Sequence, residues 1–399
     1  MTVLTILTLA LQALGSVAAA PAPEAIDPIV EKAELLANVT HPQMSRDGCA
    51  AFRLKDRALW TCGDTMVFDL NTWKLRLPLV VNTASWTDFN KDGTPKIITN
   101  VPKGAGSTGD NRVLLMYGRP NATDRKPFYD LTRSDACKLS SAGNCDDGTR
   151  TVVWQGGPPV TTNKDGKTTG FAWTANWHFK NGMDAIVKEP SHSLYKLVYD
   201  HNTENREALP TTTLVDEAFW KEGEINYGYQ GRIIRDGYAY LYGKMRYKWV
   251  AVARVPVGKV RNRAKYEYFV NGTWQRETPG INDAAARVTG DLGGVTGGRF
   301  FWSPYLNQYA WIGQRNMSLE ANFYLSTAPK AEGPWKKPVL IYRGENGDSN
   351  FPSYGLMAQP ALMSDKKANG MYLTWTQAWK GTTRPEGYIT PLVYVTFKK

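Results

Sequence analysis

The sequence predicts an all-β chain folded as a β-propeller, and three observations predict it. Aromatic residues are abundant, with 14 Trp and 20 Tyr, and 36 Gly and 23 Pro supply turns, a composition of short strands rather than helices. Strand-like aromatic segments recur along the whole chain. No βαβ alternation is visible, which argues against a doubly wound fold. The 399 residues allow two or three ordinary domains or one large β-rich one. With 42% hydrophobic and 21% charged residues, a packed core is feasible and global disorder is excluded.

Taken in order, the first element is not part of the fold. Met1–Ala20 carry no charged side chain, hold an apolar run from Val3 to Leu14, and end in small residues. This reads as a secretory signal peptide. The apolar run is too short to span a bilayer, and no later segment reaches ~18 apolar residues, so no membrane span is expected. The mature protein is expected to be soluble, extracellular and monomeric. Residues 21–30 read as a flexible lead, and 31–399 as one continuous propeller domain.

Four cysteines allow three pairings. Short loop closure favours Cys49–Cys62 and Cys137–Cys145, and the absence of C-x-x-C weakens a zinc reading. Four N-x-[ST] sequons, at Asn38, Asn121, Asn271 and Asn316, are candidate glycan sites expected to face solvent.

The strand-like segments are Ala58–Phe68, Arg112–Tyr117, Phe171–Phe179, Tyr238–Tyr242, Gln308–Ile312 and Met371–Trp375. The starts of the last three differ by 70 and 63 residues, which suits a four-stranded blade with long loops. Length then allows about five or six blades, against a pair of β-sandwiches as the competing layout. Helical signal is confined to Val215–Glu222, which could form one or two turns.

Several motifs invite a chemical reading. Gly104–Gly109 is a formal G-x-G-x-x-G, but a strand-like segment follows it where a dinucleotide site needs a helix, so it reads as a surface loop. Asp88–Gly93 reads D-x-N-x-D-G, the alternation of oxygen ligands that calcium loops use. It lacks the closing acid, and Asn-Lys-Asp-Gly recurs at Asn163–Gly166 as a favoured hairpin turn. Calcium is thus an option and no cofactor is required. His41, His178, His192 and His201 come without G-x-S-x-G or H-E-x-x-H, so a Ser-His-Asp hydrolase or a zincin is unsupported.

The carboxylates carry more information. Asp47 precedes the first hairpin, and Asp64 ends a strand of bulky residues. In a propeller the ends of the innermost strands face the central pocket, where a partly desolvated carboxylate suits acid or nucleophile work. A Cys49–Cys62 bridge would bring Asp47 and Asp64 together. Glu222, Glu224 and Asp291 are weaker candidates. Between Lys244 and Lys265 stand eight Lys or Arg and no acid. Lys259, Arg261, Arg263 and Lys265 would share one face of a strand, either a solvated edge or a rim attracting an acidic polymer. The net charge of +11 comes without a nucleic-acid motif, so nucleic acid is not expected as a partner.

The run Arg46–Thr65 (RDGCAAFRLKDRALWTCGDT) resembles the opening of a large family of secreted five-bladed propellers, long known only as a domain of unknown function. Bacterial members of that family include endo-D-arabinanases. Further matches are Arg235–Gly243, Val252–Pro256, Phe301–Tyr305, Ala328-Pro329 with Gly333–Trp335, and Tyr354-Gly355 with Gln359-Pro360. The resemblance spans about Arg46 to Phe397 and implies five blades and a glycoside hydrolase with acids at the propeller centre. It carries over directly to Asp64 and, at an often acidic position, to Asp47. Glu224 follows from placement only, and Cys62 departs from a commonly aromatic position.

The reading is therefore a secreted glycosidase acting on a polysaccharide or glycoconjugate, with Asp47 and Asp64 as catalytic carboxylates and Glu224 as a third acid. Trp86, Trp173, Trp177 and Tyr229 are candidates for sugar stacking. A polysaccharide lyase is the alternative, with Arg232 neutralising a uronate and Tyr229 or His178 taking the proton. A third reading is a sugar-binding propeller without catalysis. On the glycosidase reading, Asp64→Asn is expected to abolish turnover and leave the thermal midpoint nearly unchanged.

Overall fold

The structure, a computed structural model, describes residues 24–68, 75–99, 112–118, 126–131, 142–290, 292, 298–315, 320–348, 353–364, 368–380 and 387–398. Among the described residues it is all-β, broken only by single 3-10 turns such as Arg263–Lys265. All six aromatic segments singled out in the sequence contain or lie within strands. No helix among the described residues is long and apolar enough to cross a membrane.

Consecutive antiparallel units follow one another along the chain. The first holds two three-stranded sheets, Met44–Arg46, Thr65–Phe68, Leu75–Val80 and Ala50–Leu54, Arg57–Cys62, Thr83–Asp88. The second runs from Arg150–Gln155 through Lys167–Lys180 and His192–Asp200 to Thr211–Trp220. The third begins with Gly231–Arg235 and ends with Thr273–Gln275. A fourth begins with Gly298–Ser303, and a fifth with Tyr354–Ala358. A contact between Gly313 and Met357 joins these last two into one continuous sheet. The strand Ile29–Thr40 pairs with Pro391–Lys398, so the beginning of the described chain completes the fifth unit.

Alternation along each strand sends successive side chains to opposite faces, and both faces are covered. Leu241, Ala251 and Ala253 of the third unit pack with Trp173 and Leu194 of the second. Their neighbours Tyr242, Val250 and Val252 pack with Phe300 and Trp311 of the fourth. Phe323 and Leu325 meet Leu373 and Val393 of the fifth. Tyr372, Leu392 and Val39 meet Ala51, Ala58 and Trp60 of the first. Leu59 and Trp86 meet Val153, Ala172 and Tyr195 of the second. Each unit therefore shares one core with the unit before it and another with the unit after, and the fifth shares its second core with the first.

Two local readings need correction. Val215–Glu222 is not helical: Thr211–Trp220 is a strand paired to His192–Asp200. It is an edge strand whose first eight residues keep substantial exposure, so its polar, acid-rich composition reflects solvent contact. The basic run does not form a strand from Lys259 to Lys265; it is two 3-10 turns, Val257–Lys259 and Arg263–Lys265. Arg263 turns inward over Trp220, at 4.6 Å from the ring centre. By contrast, Asp165-Gly166 is the two-residue hairpin turn the sequence suggested, with φ of 49° and 71°.

Candidate active site

The site starts from a kink in one long hairpin. Arg46 pairs with Thr65 on one side of the kink, and Ala50 pairs with Thr61 on the other. Between them Asp47-Gly48-Cys49 faces Cys62-Gly63-Asp64, and Cys49 is bonded to Cys62. The Asp47 amide donates to the Asp64 carbonyl at 3.2 Å, and the Gly63 amide donates to the Asp47 carbonyl at 2.9 Å. A Cβ on Gly63 would stand 2.5 Å from Asp47 Oδ1, so any larger residue would push that carboxylate aside. The disulfide and the kink thus bring Asp47 and Asp64 to one place.

Asp64 is 8% exposed. Both of its carboxylate oxygens accept from the Arg150 guanidinium, at 2.7 and 2.8 Å, and Trp154 Nε1 donates to Oδ1 at 3.2 Å. Arg150 and Trp154 stand four residues apart on one strand and so share a face. Asp47 Oδ2 accepts from the Tyr354 hydroxyl at 2.8 Å. Tyr354 opens the fifth unit, and Thr376 Oγ1, on the neighbouring strand of that unit, accepts from the Gly48 amide at 3.0 Å. The Tyr388 amide donates to Ser45 Oγ at 3.1 Å, which ties that tyrosine beside the pair.

Electrostatics separate the two acids. Burial pushes the Asp47 carboxyl up to about 7, and the Asp64 carboxylate beside it adds to the rise; the Tyr354 hydrogen bond and Arg150 oppose it. Burial and the same two carboxylates push Tyr388 up to about 12. Tyr354 is raised as well, first by burial and then by Asp47. Asp47 therefore keeps its proton in weak acid, beside a second carboxyl group that is held in a guanidinium fork.

An aromatic wall leads away from the pair. Trp154 lies 5.5 Å from Phe179, and Phe179 stacks on Trp177 at 5.6 Å. Trp177 is hydrogen-bonded to the Tyr229 hydroxyl. Tyr229 and Arg232 are both half-buried, and Arg232 Nε donates to the Pro158 carbonyl at 3.1 Å.

Other expected site residues lie elsewhere. Trp86 and Trp173 are 0% and 1% exposed and fill cores between units, so neither offers a face to a sugar. His178 alternates to the opposite face of its strand from Trp177 and Phe179, where Nε2 meets Thr149 Oγ1 at 2.7 Å. The lyase trio of Arg232, Tyr229 and His178 is thus not assembled on one face. Glu224 is gripped by Arg263 through two bonds of 3.0 Å, away from the pair. Asp88 accepts from Tyr117 and Arg206, and Asp92 from Thr94. Among the described residues no group of three or more His, Cys, Asp or Glu is placed to hold a metal ion.

Asn271 is exposed at a turn, whereas Asn38 is half-buried within a strand. The glycine-rich run 104–109, Asp291, Asn121, Asn316 and Cys137, with its expected pairing to Cys145, lie outside the described residues, as does the expected signal peptide 1–20.

Sequence reasoning missed Arg150, Trp154, Tyr354 and Tyr388. The i, i+4 pair Arg150/Trp154 at a strand start was a readable signal. Tyr354 stood in a motif already noted as familiar, but without a role.

Comparison with known proteins sharpens the fold. Residues 174–368, just under half of the chain, match a family described as a domain of unknown function, DUF5005. No curated protein sequence matches the chain. The chain is similar to the crystal structure of a candidate hydrolase from Bacteroides ovatus at 16% identity and a TM-score of 0.57, covering 91% of this chain and 87% of that one. A family 117 glycoside hydrolase from Zobellia galactanivorans aligns at 10% identity and a TM-score of 0.42, over 92% and 90% of the two chains. A GH43 β-xylosidase/α-arabinofuranosidase from a compost metagenome aligns at 10% identity and 0.42, over 94% and 98%. At 16% identity the likeness to the Bacteroides protein is one of overall fold.

Proposed function

We propose that this chain is a secreted glycoside hydrolase with a five-bladed propeller architecture, cleaving a polysaccharide or glycoconjugate at the Asp47–Asp64 pair. The cyclic order of shared cores supports the five-bladed reading. The Cys49–Cys62 bond suits an oxidising compartment, and the exposed Asn271 suits a glycan. A similar fold in a candidate hydrolase supports the class of reaction.

One observation carries the proposal: two carboxyl groups share a kink, one raised to about 7 and the other held by Arg150. Asp47 donates its proton to the leaving glycosidic oxygen as the bond from the anomeric carbon breaks. Asp64 either attacks that carbon or takes a proton from the water that does. Tyr354 orients the Asp47 carboxyl, and Arg150 fixes the Asp64 carboxyl through two hydrogen bonds. The aromatic wall from Trp154 to Tyr229 offers sugar rings a surface.

Incubation of the purified protein with a polysaccharide panel tests this. The expected result is new reducing ends from one polymer class, without an unsaturated product absorbing in the ultraviolet. Binding without any product would leave the sugar-binding reading standing in its place.

A further inference from the structure

A guanidinium keeps its proton at any physiological pH, so when buried it requires a partner charge. Arg299, at the start of the fourth unit, is 3% exposed. Its Nη2 stands 3.3 Å from Met357 Sδ, a weak acceptor, while Nε and Nη1 have no hydrogen-bond partner. Among the described residues no carboxylate pairs with Arg299.

The charge facing it is a second cation. Burial, followed by repulsion from Arg232, lowers Arg299 to about 9, and burial lowers Arg232 to about 10. The two strands that carry them touch: a Cβ on Gly231 would lie 3.2 Å from the Phe300 amide nitrogen. Arg232 spends its Nε on the Pro158 carbonyl and has no carboxylate partner among the described residues. Arg232 itself keeps partial exposure.

Met357 connects these arginines to the carboxylate pair. A Cβ on Gly355 would lie 3.9 Å from the Met357 methyl and 3.6 Å from the Gly48 Cα, next to Asp47. Arg299 is therefore linked through Met357 and then Gly355 to the turn that carries the candidate acid.

We propose that Arg299 and Arg232 form a binding site for a monoanion beneath the Asp47–Asp64 kink. The chemistry required is a single compact negative charge that accepts from the free Nε–H and Nη1–H groups. A free halide and the carboxylate of an acidic sugar both supply it. The site stands independently of hydrolysis, because it rests on uncompensated buried charge.

Thermal melting in sodium chloride, sodium glucuronate and, as controls, glucose and sodium isethionate at matched ionic strength tests the proposal. A saturable rise of about 4 °C is expected with at least one of the first two and with neither control. A rise with chloride identifies a free ion as the source; a rise with glucuronate alone identifies a sugar carboxylate. Arg299→Met, similar in length and uncharged, is expected to lose that response. Should this variant fail to fold, bromide-soaked crystals of the unaltered protein give the second reading, with an anomalous peak expected within hydrogen-bond distance of Arg299. Melting curves indifferent to both anions, or an Arg299→Met variant that keeps the full response, would overturn the proposal.

Discussion

Asp64 and Glu224 invite comparison because each is a glycine-flanked acid gripped in a guanidinium fork. Arg150 holds Asp64 at 2.7 and 2.8 Å, and Arg263 holds Glu224 at 3.0 Å twice. The Glu224 side chain is 29% exposed, and its carboxyl is lowered: burial opposes this, but the Arg263 and Lys221 hydrogen bonds prevail. That is a surface clamp fastening a turn. The Asp64 side chain is 12% exposed and has a second acid beside it. A carboxylate–arginine fork alone thus marks nothing; a neighbouring acid whose pKa is raised is what makes the Asp47–Asp64 pair, and not Glu224, the candidate for chemistry.

The largest effect that tests this contrast is on turnover. Asp47→Asn is expected to lower kcat by about 10²–10⁴-fold, the worth of a positioned proton donor. The same variant should be more stable than the parent at pH 8 by on the order of 2 kcal/mol, since it removes a desolvated charge from beside Asp64. A variant both slower and less stable at pH 8 would break the comparison.

Packing gives the next contrast. Trp86→Ala, at a fully buried position, is expected to cost about 3–5 kcal/mol by denaturant melts. Trp177→Ala, in the half-buried wall, should instead raise KM with a loss of stability of about 1 kcal/mol.

The two forks should then separate on substitution. Asp64→Asn leaves Arg150 buried without its counter-charge, so it should cost about 2–4 kcal/mol as well as activity. This replaces the expectation, drawn from sequence, of an unchanged midpoint. Glu224→Gln should leave kcat within about twofold and cost less than about 1 kcal/mol.

The last contrast is in pH dependence, where the signs oppose. Asp47 is raised from 3.8 to about 7, so the native state holds a proton that the unfolded chain releases. Its contribution to stability is full below 3.8 and is lost as pH rises through about 7. Activity that needs this proton should fall over the upper part of the same range. Glu224 is lowered from 4.5, so its contribution is present above that value and is lost in stronger acid. Paired titrations of the parent and the two variants, Asp47→Asn and Glu224→Gln, read both slopes.

What the sequence made legible was local. The strand segments announced themselves by aromatic and β-branched runs, and the disulfide between Cys49 and Cys62, thirteen residues apart, brought Asp47 and Asp64 together. The partners were not legible, because Arg150 lies 86 residues from Asp64 and Tyr354 lies 307 from Asp47. No periodicity encodes such separations. Trp86 and Trp173 were misread for a related reason: when both faces of a sheet are covered, alternation does not say which aromatic fills a core and which lines a cleft. Glu224 failed because a glycine-flanked acid looks the same in a clamp as in a catalytic turn.

The pairing of Ile29–Thr40 with Pro391–Lys398 has a consequence for biogenesis. Of the described strands the first to be made waits for Pro391–Lys398, and Tyr354 and Tyr388 are made shortly before that partner. A chain made only as far as residue 350 therefore carries both aspartates without the two tyrosines beside them, and the surroundings of the pair are finished only once those later residues are made.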